Sequence, residues 1–388
     1  METPPWGTLT GIRPAKVAEK LLLSGKSEQS ILQKLIKTYK VRPDKAALCL
    51  ETAQVSVKTR KTLAPRDVAL YVGIPFCPTR CAYCSFVSNS VERSFNMIDD
   101  FTETLLREIK TMSELAKELD LRIVSAYIGG GTPTSLTEAV IETIMSALEN
   151  SFDFSGLREY TVEAGRPDTL TEQKLDILTR FGATRICINP QSMSADILKA
   201  IGRNHTPDDV FTAAGLVRQT GAALNMDIIA GLPCDTPEGF ANTLDTVLQF
   251  APENITVHTL SLKKGSRIML ENTTIPSGED VGEMLDYSSQ RLRAGGYAPY
   301  YLYRQKYITG GYENTGWSKP GYNGLYNICM MEELCTVLAL GGGGVTKLVT
   351  SDGRIERIFN AKYPREYIMM TEKMKEKVGR VRENAVSI

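Results

Sequence analysis

Six short apolar runs, rich in β-branched and aromatic side chains, recur through the middle of the chain: VALYVGI (68–74), IVSAYIG (123–129), EYTVEA (159–164), TRICIN (184–189), LNMDIIAG (224–231) and NITVHTL (254–260). Between them lie stretches with the spacing of amphipathic helices, at 96–119, 137–150, 171–181, 194–201, 208–220 and 237–250. Runs with few polar breaks predict strands covered on both faces, and their alternation with helices predicts βαβ units in a parallel sheet. With right-handed crossovers, six such units predict an α/β fold, a partial (β/α)6 TIM-like barrel over residues 66–264. A doubly wound open sheet is the competing arrangement.

The flanks read differently. Residues 1–65 have a mostly helical pattern ("PAKVAEKLLLSG", "SILQKLIKTY"). Residues 265–388 read as mixed α/β, a region expected to cover the substrate. It holds a helix near 279–294, a Tyr/Gly-rich stretch, a helix near 331–340, a hairpin about the Asp-Gly of "KLVTSDGRIERIF", and a basic C-terminal helix.

Composition narrows the function classes. With 45 Lys+Arg against 45 Asp+Glu, nothing calls for a nucleic acid or an anionic membrane as partner. No run of 18 apolar residues predicts a membrane span, and the first residues lack the pattern of a secretory signal. Cys49, Cys187, Cys234, Cys329 and Cys335 are scattered singly, which suits a reducing cytoplasm.

Chemistry-bearing residues gather at the C-terminal ends of the predicted strands, where β/α barrels build their active sites. The first strand leads into Cys77, Cys81 and Cys84, spaced C-x-x-x-C-x-x-C. The second is followed by "GGGTPT" (129–134), the third by Glu163, and the fourth by Asn189 and Gln191; the fifth carries Asp227 and the sixth His258. A structural zinc site wants four ligands, and neither His205 nor His258 is near the cysteines in sequence. One disulfide or a redox C-x-x-C would leave a thiol over. Three thiolates suit three irons of a 4Fe–4S cluster, with the fourth iron open to a small ligand.

The segment "GIPFCPTRCAYCSF", with Tyr83 inside the cysteine loop, resembles the radical S-adenosylmethionine (SAM) family. "GGGTPTSL", "EAGRPDTL", "PQSMSADILKAIGRNH" and "MDIIAGLP" further resemble its oxygen-independent coproporphyrinogen III oxidase group. "GTLTGIRPAK" and "YLYRQKYITGGYENTGW" are similar to the coproporphyrinogen dehydrogenase (HemZ) branch, and the likeness runs over nearly the whole chain. The resemblance implies that Cys77, Cys81 and Cys84 ligate the cluster. It implies that Gly129, Gly130, Gly131 and Thr132 cradle the methionine part of SAM. Glu163 would meet its ribose or ammonium and Asp227 its ribose, Gln191 and Arg203 would hold it, and Tyr71 would lie beside it. A flavodoxin or ferredoxin would supply electrons.

The sequence also departs from better-known members. Phe86 stands where they carry a further Cys, Gly73 where they carry a His, and "LGGGGVTK" (340–347) lacks the His that ends their glycine motif. Three classes of function are therefore carried forward. They are oxidative decarboxylation of coproporphyrinogen III to protoporphyrinogen IX, haem delivery or modification, and a non-catalytic Fe–S scaffold. For the first, Tyr303 and Arg304 are the expected catalytic residues, with Tyr301 and Glu313 near them. Arg304, Lys306, Lys319 and Lys347 are candidate partners for the substrate's carboxylates, or equally a solvated basic face.

Overall fold

The computed structural model describes all residues except 1–3, 85–88, 91–94, 263–265, 272, 351–352 and 386–388. Strand β1 (Asp67–Ile74) is followed by a short parallel pair, β2 (Phe76–Cys77) and β3 (Asn89–Ser90). Then come β4 (Arg122–Gly130), β5 (Glu159–Glu163), β6 (Arg185–Gln191), β7 (Ala223–Ala230) and β8 (Asn254–Thr259). The last third adds β9 (Ala298–Tyr303), β10 (Asn314–Ser318), β11 (Thr336–Gly341), β12 (Val345–Val349) and β13 (Ile355–Phe359).

One sheet runs in the order β13-β12-β11-β1-β4-β5-β6-β7-β8-β10-β9. From β1 through β4 to β8 neighbours pair in parallel, the order of a partial barrel. The sheet stays open. Its β8 side is extended by antiparallel β10 and β9, and its β1 side by β11, which joins in parallel with Val68 opposite Thr336 and Gly73 opposite Gly341.

The six expected crossover helices are all found, from Ile98–Glu118 to Pro237–Gln249. Ile98–Glu118 buries Phe101, Leu105, Ile109 and Met112 at three- and four-residue spacing, the stripe that seats a helix on a sheet. Pro207–Arg218 starts at a capping box between Thr206 and Asp209, with Pro207 in the first turn. Among the described residues no helix is long and apolar enough to cross a membrane.

The helix expected at 331–340 is not there. The preceding helix, Leu325–Glu332, ends at Glu333, whose φ of 54° is left-handed. Thr336–Gly341 is then buried along its whole length as β11. A short apolar run fits a buried strand or a helix, and here pairing with β1 decides. The expected hairpin is β12 with β13, although Asp352 of its turn lies outside the described residues. The C-terminal helix, Thr371–Ala385, sends Lys377 into the interior, 2.8 Å from Glu108. Glu108 also accepts from the Gly341 amide, Asn360 and Tyr367 at 2.5–2.9 Å, so every oxygen of this buried carboxylate is satisfied.

Candidate active site

The chain leaving β1 is fastened to the glycine turn after β4. The carbonyls of Ile74 and Phe76 accept from the amides of Gly131 and Thr132, each at 2.7 Å. A Cβ on Gly131 would lie 2.4 Å from the Phe76 carbonyl oxygen, and Gly130 has a φ of 104°. Only glycine fits such an approach.

The cysteine loop is braced from outside. Thr132 Oγ1 donates to Cys77 Sγ at 3.5 Å, and Arg166 Nη2 donates to Cys81 Sγ at 3.1 Å and to the Thr79 carbonyl at 2.8 Å. Cys77 and Cys81 are buried, and Cys84 is half-buried on the cavity wall. Burial pushes the Cys81 thiol up, but the guanidiniums of Arg203 and Arg166 outweigh it and hold the thiol below its ordinary range. The thiolate is the form that ligates metal. The three cysteines share one loop; among the described residues no three His, Cys, Asp or Glu side chains are gathered closely enough to grip an ion.

Behind the loop, Tyr127 donates to Glu163 Oε1 at 2.5 Å. Burial, reinforced by Asp227, pushes the Glu163 carboxyl up to about 7 against the pull of Tyr127 and His258. Burial resists charge on Asp227 too, but His258, Asn225 and Thr256 prevail and hold it below the usual carboxylate value. Asn225 donates to Asp227 at 2.9 Å, His258 Nε2 lies 3.5 Å from Asp227, and Tyr303 Oη lies 3.4 Å from His258 Nδ1. His258 thus belongs to a polar relay rather than to the core. Tyr71, Tyr127 and Tyr326 stack beside it, with ring centroids 4.5–6.2 Å apart.

On the far side, Gln191 takes a φ of 67° where β6 bulges against β7. Arg203 donates to the carbonyls of Gly165 at 3.1 Å and Asn189 at 2.6 Å, and to Tyr83 Oη at 3.2 Å. Gln191 Oε1, Asn189 Oδ1, Arg203 Nε and Arg166 Nη1 are buried without a hydrogen-bond partner. Four orphaned polar atoms in one neighbourhood are costly in a closed core and natural in a ligand site.

These elements open on a cavity of about 280 Å³ lined by Tyr83, Cys84, Gln191, His258, Tyr303 and Asn314, among others. Arg304 is not in it. Consecutive residues of an extended chain face opposite ways, so Tyr303 reaches the cavity while Arg304 turns to the N-terminal segment. There it donates to the carbonyls of Leu9 (2.5 Å) and Gly311 (3.0 Å) and covers the Trp6 ring. Glu313 is likewise engaged, by Lys45 at 2.7 Å and Trp6 at 2.8 Å. Lys319 bonds the Ala251 carbonyl and Lys347 the Met330 carbonyl, which leaves Lys306, exposed next to cavity-lining Gln305, the nearest to the site of these four cations. Phe86 lies outside the described residues. At Gly73 a Cβ would stand 2.5 Å from the Gly342 carbonyl oxygen, so no histidine could occupy this backbone. Tyr127, Tyr326 and Arg166 escaped the sequence reading, although Arg166 sits inside "EAGRPDTL".

The sequence profile of the radical SAM superfamily matches residues 71–247. The chain is 40% identical, over 94% of its length and 74% of the relative's, to the oxygen-independent coproporphyrinogen-III oxidase-like protein HemZ of Bacillus subtilis (strain 168). The chain belongs to the radical SAM superfamily, in the HemZ-like group. This radical SAM protein is also 26% identical to the heme chaperone HemW of Escherichia coli (strain K12), over 78% of this chain and 75% of that one. Among solved structures it resembles HemN, the coproporphyrinogen III oxidase from Escherichia coli described as a radical SAM enzyme. The TM-score is 0.64 at 21% identity, covering 83% of this chain and 73% of that one, which establishes a common fold.

Radical SAM proteins work with a 4Fe–4S cluster and SAM, and the residues present fit both. Three cysteines on a braced loop, one thiol already biased toward thiolate, match the cluster's donor chemistry. The glycine turn and the orphaned atoms of Gln191, Asn189 and Arg203 match a small ligand carrying a carboxylate and hydroxyls.

Proposed function

We propose that the protein cleaves SAM reductively and uses the radical to decarboxylate propionate arms of a tetrapyrrole, taking coproporphyrinogen III to protoporphyrinogen IX. The observation that carries this reading is a single cavity wall shared by Cys84, Gln191, His258 and Tyr303. Cys77, Cys81 and Cys84 would hold the cluster. Gly129 to Thr132 would receive the methionine part of SAM, Gln191 and Arg203 its charged end, Glu163 its ribose or ammonium and Asp227 its ribose, with Tyr71 alongside. Cluster and SAM together supply an organic radical that takes a hydrogen atom. Each propionate would then lose one hydrogen atom to that radical, one electron to an external one-electron acceptor, and carbon dioxide, to become a vinyl group. Tyr303 would touch the substrate, with His258, 3.4 Å from its Oη, to hold or take the proton there. A small redox protein such as a flavodoxin or ferredoxin fits as electron donor, and the cytoplasm as location. The test is anaerobic incubation with reductant, SAM and coproporphyrinogen III, with products read by mass spectrometry. Deoxyadenosine without any vinyl product would exclude the decarboxylation.

A second reading, haem handling, is favoured by one observation. Among the described residues that line the cavity none is Lys or Arg, so that part of the wall offers no cation to a substrate with four carboxylates. Tight stoichiometric haem binding, with no chemical change to coproporphyrinogen, would select it.

A further inference from the structure

Pockets for drug-sized molecules measure about 300–1,000 Å³, so a cavity of about 280 Å³ is too small to enclose a tetrapyrrole macrocycle, most of which would lie outside the mouth. What stands at the mouth is the segment that follows β9. Tyr303 and Gln305 line the cavity, and the residues after them bond Leu260 and Ser261, which line it too.

This segment is secured along its whole length. At its base the Arg304 amide donates to the Ile12 carbonyl at 2.7 Å, and the guanidinium ties Leu9 to Gly311. On the cavity side Ser261 Oγ donates to the Lys306 carbonyl at 3.0 Å, the Leu262 amide to the Tyr307 carbonyl at 3.0 Å, and the Thr309 amide to the Leu260 carbonyl at 3.1 Å. So fixed, it holds Tyr307 at a φ of 61°, an outlying conformation for a bulky residue, with the residue 66% exposed. Lys306, beside it, is exposed too. Strained residues persist where surroundings over-determine them, and they gather at ligand clamps.

We infer that Lys306 and Tyr307 form the outer half of the tetrapyrrole site, the ammonium taking a propionate and the ring lying against the macrocycle. The inference rests on the tetrapyrrole reading above and names the residues that give it specificity. Charge complementarity picks the occupant. Arg304, Lys319 and Lys347 are bonded to backbone carbonyls away from the cavity, whereas Lys306 lies one residue from its wall. An exposed aromatic beside a cation suits a ligand with flat apolar faces and an anionic edge.

The test is titration of the reconstituted holoprotein with coproporphyrin III (four carboxylates) and protoporphyrin IX (two), followed by absorbance. Lys306→Glu should weaken coproporphyrin III at least tenfold and protoporphyrin IX less, whereas Tyr307→Ala should weaken both about equally. Lys319→Glu, the same charge change away from the cavity, should leave both affinities as they were. If the intact protein binds both porphyrins and Lys306→Glu and Tyr307→Ala bind them equally well, the outer half is assigned wrongly while the tetrapyrrole reading stands. If the intact protein binds neither porphyrin, both fall together.

Discussion

Tyr127 donates its hydroxyl hydrogen to Glu163 across 2.5 Å, and the carboxyl it meets titrates near 7. The folded value lies above the ordinary carboxyl value of 4.5, so the folded state prefers the protonated acid. Its contribution to stability is complete below about 4.5 and is lost as pH rises through about 7. The apoprotein should therefore lose stability over that window, and Glu163→Gln should flatten the loss in thermal melts. If Glu163 meets a cationic or hydroxyl group of SAM, SAM should bind more tightly at pH 8 than at pH 6, and Glu163→Gln should remove that slope. An unchanged slope in the variant would take Glu163 out of the SAM site.

The cysteine loop makes a sharper claim. Anaerobic reconstitution should yield about four irons and four sulfides per chain. Cys77→Ala, Cys81→Ala and Cys84→Ala should each abolish that cluster, while Cys49→Ala and Cys329→Ala should keep it. A wild-type EPR signal from reduced Cys81→Ala would mean that the ligands are elsewhere.

Arg203 offers a magnitude. Arg203→Ala deletes donors to Gly165, Asn189 and Tyr83 and should weaken SAM binding by about 1–3 kcal/mol, the range for unpairing a charged hydrogen-bond partner. Equilibrium binding of SAM measures it, and an unaltered affinity would reduce Arg203 to a brace.

At position 73 the backbone itself decides. Restoring the relatives' histidine, Gly73→His, drives a Cβ to within 2.5 Å of the Gly342 carbonyl, an overlap that must shift β11 or β1. We expect a loss of about 1–3 kcal/mol or more in denaturant unfolding. Full stability in the variant would show that this end of the sheet yields easily.

Arg304 acts through its neighbours. Arg304→Gln should raise the KM for the tetrapyrrole with a smaller change in kcat, because Gln305 to Tyr307 would lose their anchor. Arg304→Lys, which still supplies a donor to one carbonyl, should recover part of the loss. A fall in kcat alone would return Arg304 to the chemistry.

The six central strands were legible because each is a short run with few polar breaks and helix stripes separate them, and their common C-terminal end was legible from where the cysteines, glycines and acids fall. β11 was misread because "TVLALG" carries no periodicity that separates a buried strand from a helix; its β-branched residues and the glycines after it were the available signal. Arg304 was misassigned beside Tyr303 because adjacency in sequence was taken as adjacency in space, although a strand sends neighbours to opposite faces. Tyr127 and Tyr326 were invisible for another reason: their stack joins β4 to a helix two hundred positions on, a contact that no local pattern encodes.

The pairing of β11 with β1 also sets an order of events during synthesis. Val68 to Gly73 emerge more than two hundred residues before their partners, Thr336 to Gly341, and before the Lys377 ammonium that locks Glu108 onto Gly341. Until then β1 presents an open edge of the kind that recruits other chains. Ribosome-bound chains halted before residue 336 should accordingly depend on holding chaperones. The strand that leads into the cysteine loop thus gains its second neighbour only once residue 341 has left the ribosome.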